Sequence, residues 1–493
     1  MNIKLLQTFI AVLLNLKVFQ AAESPCTLNA CDVFDMFTRG SRTIDSPPPV
    51  GSCNLDLHWR QLDRRLRAIE QPTWTISFGQ SRWRQCAKSA CRCDSARRSL
   101  NCWRAGFTTL TPDLIVPADL VNIDLGTNKL RTLHKTTFKG MRSLAELDMF
   151  DNRVEYLPAG IFDSLVNLRI LRLQRNYLEE IDSQAFRSTK KLFHVDLSNN
   201  FLYSLSEKMF ANNSFLETID ISNNHIVYMP SDSFVGLDSL QILDLSKNKI
   251  QRIENGTFSL KTLQILKLSD NKICNISENA FESLQALETL LLERNKLQSI
   301  PTRLFQNVDC LTFLDLSSNN LMSLTGVEFE NLKLLRTLDL KDNALTELPD
   351  YTFSNNTNLE KLDLSKNKLR FLNVTTFLGL ENLTSLLLSE NKLFEVHFKT
   401  FSTLKNLTTL WVRLNEMKIW DYSPTCVSPW YLEGHFLKKL KFPELCAGQW
   451  ASMVNLSPRL PIQHLLALNV SVNRKPQDSM EQNHDVTTID TWH

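Results

Sequence analysis

The chain has 493 residues, more than one ordinary compact domain uses, and its 55 Lys+Arg against 53 Asp+Glu leave a formal net charge of +2. That balance excludes the broad basic field of a general nucleic-acid binder. Glycine is scarce at 13 residues and phenylalanine abundant at 28, an excess that the fold has to place.

In chain order, MNIKLLQTFIAVLLNLKVFQAAES comes first. Lys4 precedes a short apolar run from Leu5 to Leu16, and the small residues Ala21 and Ala22 come after it. Residues 1–22 therefore read as a secretory signal, since the run is too short to span a bilayer. No later stretch approaches ~20 apolar residues, and the closing residues are polar, so neither a transmembrane helix nor a lipid-anchor tail is predicted. The expected destination is the extracellular space or matrix. The 11 cysteines all lie beyond the signal, as expected of disulfide chemistry in an oxidising compartment. Nine N-x-S/T sequons agree with that route: Asn212, Asn255, Asn275, Asn355, Asn373, Asn382, Asn406, Asn455 and Asn469.

Residues 23–85 form an N-terminal extension holding Cys26, Cys31 and Cys53, the linker SPPPVG and a helical pattern. Trp59, Leu62, Leu66 and Ile69 share one face of that helix, which predicts a small helix packed on the adjoining cysteine-rich stretch rather than a separate partner site. Three cysteines cannot all pair among themselves, so one reaches elsewhere in the chain or links two chains into a disulfide-bonded dimer. Residues 86–117 hold four cysteines at C-x4-C-x-C-x8-C spacing, which by itself allows three pairings. Arg82, Arg84, Lys88, Arg92, Arg97, Arg98 and Arg104 make this stretch basic, with Trp83 and Trp103 among them. It is a surface for acidic partners such as glycosaminoglycan, or simply a solvated face.

From 118 to 417 one phrase recurs, as in LQILDLSKNKI (240–250). Its Asn stands at 128, 152, 176, 200, 224, 248, 271, 295, 319, 343, 367, 391 and 415, with every spacing 24 except the 23 before Asn271. The x-L-x-L-x segment alternates, so it is a short strand with leucines inward. One such strand cannot bury its apolar side alone, but stacked copies make a parallel sheet over a continuous core. The carboxamide, carrying donors and an acceptor, is placed to satisfy the backbone groups that the turn after the strand leaves inside. A second ladder, Phe138 to Phe401, keeps one phase through twelve repeats and should stack as a spine behind the strands. Cys274 and Cys310 fall two coils apart, about 10 Å, beyond disulfide reach, which predicts two free, mostly buried thiols.

These residues resemble the extracellular, typical 24-residue class of leucine-rich repeat proteins. The resemblance implies an α/β solenoid: a horseshoe with a parallel sheet on the concave face and an irregular or short-helical convex side. It implies that 86–117 is the family's N-terminal cysteine cap, bridged Cys86–Cys93 and Cys91–Cys102. Residues 418–446 resemble the second half of a C-terminal cap. The family's C-x-C has no counterpart there, so Cys426 and Cys446 pair with each other or the cap is incomplete. Residues 447–493 are expected to be a tail, disordered at its end.

No H-E-x-x-H, G-x-S-x-G, phosphate loop or clustered metal spacing occurs, and neither catalysis nor a cofactor is predicted. Binding is the natural use of a rigid sheet. The outward position between the strand leucines is Asp in eight repeats, the repeat's favoured wording and a solvated stripe. Its departures are more informative. Leu387 and Trp411, with Arg413 beside them, are the leading candidates for recognising an extracellular or cell-surface protein, against the alternative that Trp411 packs under the C-terminal cap. Leu291 with Phe313 is a mid-sheet candidate. The implied roles are adhesion, signalling or innate-immune recognition, and the alternative is a structural matrix protein held to glycosaminoglycan by the basic cap.

Overall fold

The computed structural model describes residues 83–86, 90–110, 116–396, 398–401 and 403–416. The expected signal, most of the N-terminal extension with its helix and three cysteines, Arg82, Lys88, the Cys426–Cys446 region, the tail, Asn455 and Asn469 lie outside these residues.

Each coil turns the alternating phrase into a three-residue strand. In Ile242–Asp244 the central Leu243 is fully buried, while Ile242 and Asp244 face out half-buried. Leu243 stands opposite Ile219 on one side and Leu266 on the other. The same register joins all thirteen repeat strands, from Asn122–Asp124 to Thr409–Trp411, into a parallel array. Two cap strands extend it to fifteen: Arg92–Asp94 pairs antiparallel with Ser99–Asn101, which runs parallel to the first repeat strand. Cys86 is bonded to Cys93 and Cys91 to Cys102 beneath this hairpin. The stacked coils form a solenoid with the parallel sheet along one face.

The recurring Asn binds one coil to the next. Asn248 Nδ2 donates to the carbonyls of Leu245 and Ser246 in its own turn and of Ile221 in the coil before. Its Oδ1 accepts the Ile226 N–H of that preceding coil at 3.0 Å. The cap joins the same ladder, because Asn128 Nδ2 donates to Cys102 O and Asn128 Oδ1 accepts Phe107 N–H. The residue just before every one of these asparagines has positive φ, between 51° at Ser318 and 58° at Glu390. Most are not Gly or Asn, so the left-handed turn is imposed by the Asn bonds on either side rather than by local preference.

Behind the strands the phenylalanine spine is buried throughout, from Phe138 at 0 % exposure to Phe401 at 6 %. Neighbouring rings stack at centroid distances from 5.3 Å (Phe186–Phe210) to 6.5 Å (Phe305–Phe329). In the two coils where the stacking contact is not made, Phe210 to Phe234 and Phe353 to Phe377, the usual apolar residue three beyond the ring is replaced by a buried Asn. Asn213 donates to Phe186 O and Thr189 O, and Asn356 to Phe329 O and Leu332 O. The next coil after each carries a close-packed Gly: a Cβ on Gly379 would meet Ser354 O at 2.3 Å, and one on Gly236 would meet Ala211 O at 2.6 Å. The single 23-residue spacing loses its residue between Phe258 and Leu260 on this side, leaving the Ile242–Ile265 strand register intact.

Cys274 and Cys310 are free but exposed, not buried. Cys310 sits just before the first inward leucine, an outward place that Phe215 and Leu334 hold in other coils at 63 % and 49 % exposure. Cys274 comes directly after the inward Ile273 and reaches only Gln251 O. No helix among the described residues is long and apolar enough to cross a membrane.

Candidate functional site

The sheet face is built from the outward strand positions. The eight Asp residues there are not simply solvated. In every case Oδ1 accepts the backbone N–H two residues on: Asp124 from Gly126, Asp148 from Phe150, Asp196 from Ser198, Asp220 from Ser222, Asp244 from Ser246, Asp315 from Ser317, Asp339 from Lys341 and Asp363 from Ser365. The carboxylate therefore closes the turn that carries the chain into its left-handed residue. Crowding these acids has an electrostatic cost. Burial pushes Asp339 up to about 6 despite its N–H bond, and Asp363 and Asp315 on the flanking strands add to the rise. Burial raises Asp148 and Asp220 as well.

Five coils give up this turn bond. Two substitute a cation that pairs with the preceding Asp: Arg172 with Asp148 at 3.6 Å and Lys267 with Asp244 at 3.2 Å. The other three are Leu291, Leu387 and Trp411. Leu387 and Trp411 stand directly opposite each other on neighbouring strands. Trp411 is 40 % exposed, and the Arg413 guanidinium lies 5.8 Å from its ring centroid. Leu291 and Phe313 also lie on neighbouring strands, two residues out of register, since Leu291 faces Asp315 and Phe313 faces Thr289. Two intervening strands, Thr337–Asp339 and Lys361–Asp363, separate this pair from the Trp411 end. The structure thus gathers Leu387, Trp411 and Arg413 into one patch and leaves Leu291 with Phe313 as another.

Across the basic cap the charges are partly answered. Arg97 lies 3.7 Å from Asp94, Arg98 lies 3.8 Å from Asp119, and the Arg104 guanidinium covers the Trp103 ring at 4.3 Å. Arg92 is exposed, and Arg84 belongs to a short helix, Trp83–Cys86. The sequon residues among the described coils, Asn212, Asn255, Asn275, Asn355, Asn373, Asn382 and Asn406, are all exposed. None lies on a sheet strand except Asn275, in a two-residue strand pair outside the main sheet.

A groove along the rim is not foreseeable from the repeat pattern alone. Where the strands turn, the left-handed residue and the residue after the buried Asn form two parallel ridges. Over the cap and the first four coils they enclose an open groove of about 620 Å³. Arg104, Lys129, Arg153 and Arg175 line it together with Tyr177 and Phe201. Tyr177, Phe201 and His225 occupy one phase of the repeat, with ring centroids 5.6 Å apart. The signal for it in the sequence is position-specific composition immediately around the key Asn.

A family model for the leucine rich repeat matches in nine overlapping stretches that run from residue 118 to residue 393, more than half of the chain. The chain belongs to the leucine-rich repeat family. Among solved structures, this repeat protein is similar to the Drosophila Toll chain of a Toll–Spatzle complex, with 22% identity over 66% of this chain and a TM-score of 0.55. It spans about half of that Toll chain, 48%. It is also similar to the leucine-rich repeat domain of APL1B, with 24% identity, 59% of this chain and 80% of that one covered, and a TM-score of 0.50. No curated protein sequence matches the chain significantly. At these identities the likeness is one of fold, and the repeat's particular use is carried by its own outward residues.

Proposed function

We propose that this leucine-rich repeat protein is a secreted glycoprotein that binds an extracellular protein ligand through the sheet face of its solenoid, at the C-terminal end. The observation that carries the reading is the pairing of Leu387 with a 40 % exposed Trp411 at strand positions where eight other coils hold a turn-closing Asp. Giving up that bond for two apolar groups has no benefit to the frame, whereas a Trp–Leu pair edged by an Arg is the composition of an interface anchor. The two cap disulfides and the exposed sequons support an oxidising, secretory setting. The Toll chain was solved with Spatzle, a fold-level precedent for a protein partner.

The test is to secrete the full chain from a eukaryotic host and probe arrayed extracellular proteins, with Trp411→Asp and Leu387→Asp alongside. The expected result is saturable binding weakened at least tenfold, about 1.4 kcal/mol, by either substitution. Binding indifferent to both substitutions would contradict the site. The alternative, matrix attachment through glycosaminoglycan, is less well supported because Arg97 and Arg98 already face Asp94 and Asp119. Salt-sensitive heparin retention abolished by Arg97→Glu with Arg98→Glu would reverse that preference.

A further inference from the structure

The rim groove over the cap and first four coils is remote in the repeat order from Trp411, and its chemistry differs. Arg104, Lys129, Arg153 and Arg175 are exposed and make no ion pair among the described residues. Further along the same rim only some cations are paired: Arg294 donates to Asp270 and Lys366 lies 4.0 Å from Glu390, while Lys272, Lys296, Lys368 and Lys392 make no ion pair among the described residues. What sets the groove apart is that its cations adjoin exposed rings. Four cations without a carboxylate partner, Arg104 among them although it covers the Trp103 ring, stand against the one lining carboxylate, Asp151, and leave the groove with a net positive charge. Beside them are exposed aromatics, Tyr177 at 49 % and Phe201 at 41 %. Their mutual stacking at an interplanar angle of 23° occupies one face of each ring, and His225 meets Phe201 edge-to-face at 86°. Phe201, flanked by Tyr177 and His225, offers outward largely its edge, which is positive. Sugar rings need a free aromatic face to stack on, whereas an edge suits an aliphatic side chain or a carboxylate oxygen. The first sequon of the chain is Asn212, so no sequon lies within the coils that form the groove.

We propose that this groove binds an extended acidic segment of a protein ligand, with carboxylates on Arg104, Lys129, Arg153 and Arg175 and an apolar side chain against Tyr177 and the edge of Phe201. Four spacings of ~4.8 Å, from the cap to the fourth coil, make about 19 Å, the length of roughly six extended residues. The proposal takes from the functional reading only the class of partner, a protein; the surface itself is independent of Trp411.

The test uses the full chain and a fluorescein-labelled octapeptide alternating Glu and Leu, with its Lys-for-Glu counterpart, read by fluorescence anisotropy. The acidic peptide is expected to bind at least tenfold more tightly than the basic one. Arg153→Glu with Arg175→Glu should abolish that preference, and Arg153→Lys with Arg175→Lys should restore most of it. Tyr177→Ser with Phe201→Ser should weaken acidic-peptide binding about threefold or more with unchanged circular dichroism, while Trp411→Asp should have no effect. Equal binding of both peptides would overturn the proposal. So would heparin binding that outcompetes the peptide and depends on the arginines but not on the rings, which would make the groove a polysaccharide site. Failure of the sheet-face reading would leave the peptide preference intact. Failure here would leave Trp411-dependent ligand binding intact.

Discussion

Two polar rows run the length of the solenoid four residues apart, and they behave differently. The Asn row is buried and unbroken: Asn248 holds carbonyls of two coils and the Ile226 N–H of the preceding one. The Asp row is mostly half-buried, Asp363 being the buried exception. The Asp244 backbone bond stays within its own coil, reaching Ser246, with only a partly exposed ion pair to Lys267 crossing to the next. A side chain that joins two coils cannot be replaced without orphaning buried groups in both. A side chain that closes only its own turn can be exchanged at small cost, and five coils do exchange it. The protein's distinctive outward chemistry sits where bonding is local, on the sheet face and on the rim ridges, and the frame is fixed where bonding is shared.

The sharpest way to break this comparison is to exchange the two chemistries. Asn248→Asp keeps size and acceptor but removes the donors to Ile221, Leu245 and Ser246 carbonyls and brings a charge inside. At about 1–3 kcal/mol for each unpaired buried group, the loss in urea denaturation should be about 3 kcal/mol or more. Asp244→Asn retains an acceptor for the Ser246 N–H and should cost under about 1 kcal/mol. Equal losses would erase the distinction.

A smaller effect is expected where the Asp row is most crowded. The folded Asp339 carboxyl titrates at about 6, above its ordinary value of 3.8, so the folded state holds its proton more tightly than the unfolded state does. Its contribution to stability is therefore full below the unfolded pKa and is lost as pH rises towards the folded one. Asp339→Asn should raise stability by about 1 kcal/mol at pH 7.5, after allowance for solvent screening, and by almost nothing at pH 3.5. Thermal unfolding at the two pH values checks both the sign and the window.

The smallest effect is expected on restoring the frame's wording at a departure. Leu291→Asp gains a turn bond and faces Lys267 on one side, but meets Asp315 on the other. The net change should lie within about 0.5 kcal/mol in urea denaturation. A loss above about 2 kcal/mol would mean that Leu291 is part of the frame and not available to a ligand.

Much of this frame is legible in the sequence because it is periodic. The thirteen asparagines and twelve phenylalanines keep phase, and a residue that must meet its own copy one coil away can only be written as a repeat. The role of Asp244 and its fellows is hidden there because a turn-closing acid and a solvated acid are spelled alike. The left-handed residues are hidden for the opposite reason. Thr127, Arg175, Lys247 and Leu414 share a φ within a few degrees, 52° to 56°, yet share no chemistry. Their conformation comes from the bonds around them. The exposure of Cys274 and Cys310 depends on which side of the coil they take, and sequence spacing alone fixes only that they are far apart. The candidate patches are half legible. Leu387 and Trp411 stand out as breaks in the Asp row, but the rim groove needs two ridges and a coil-to-coil stack that appear only once the coils are assembled.

The distinction between shared and local bonding is tested most directly by amide hydrogen exchange, comparing Asn248→Leu with Asp244→Ala. Loss of the Asn248 carboxamide should deprotect Ile226 and its neighbours in the preceding coil, whereas loss of the Asp244 carboxylate should deprotect only the turn at Ser246. Deprotection confined to the substituted coil in Asn248→Leu, or spreading equally to the neighbouring coil in Asp244→Ala, would contradict it.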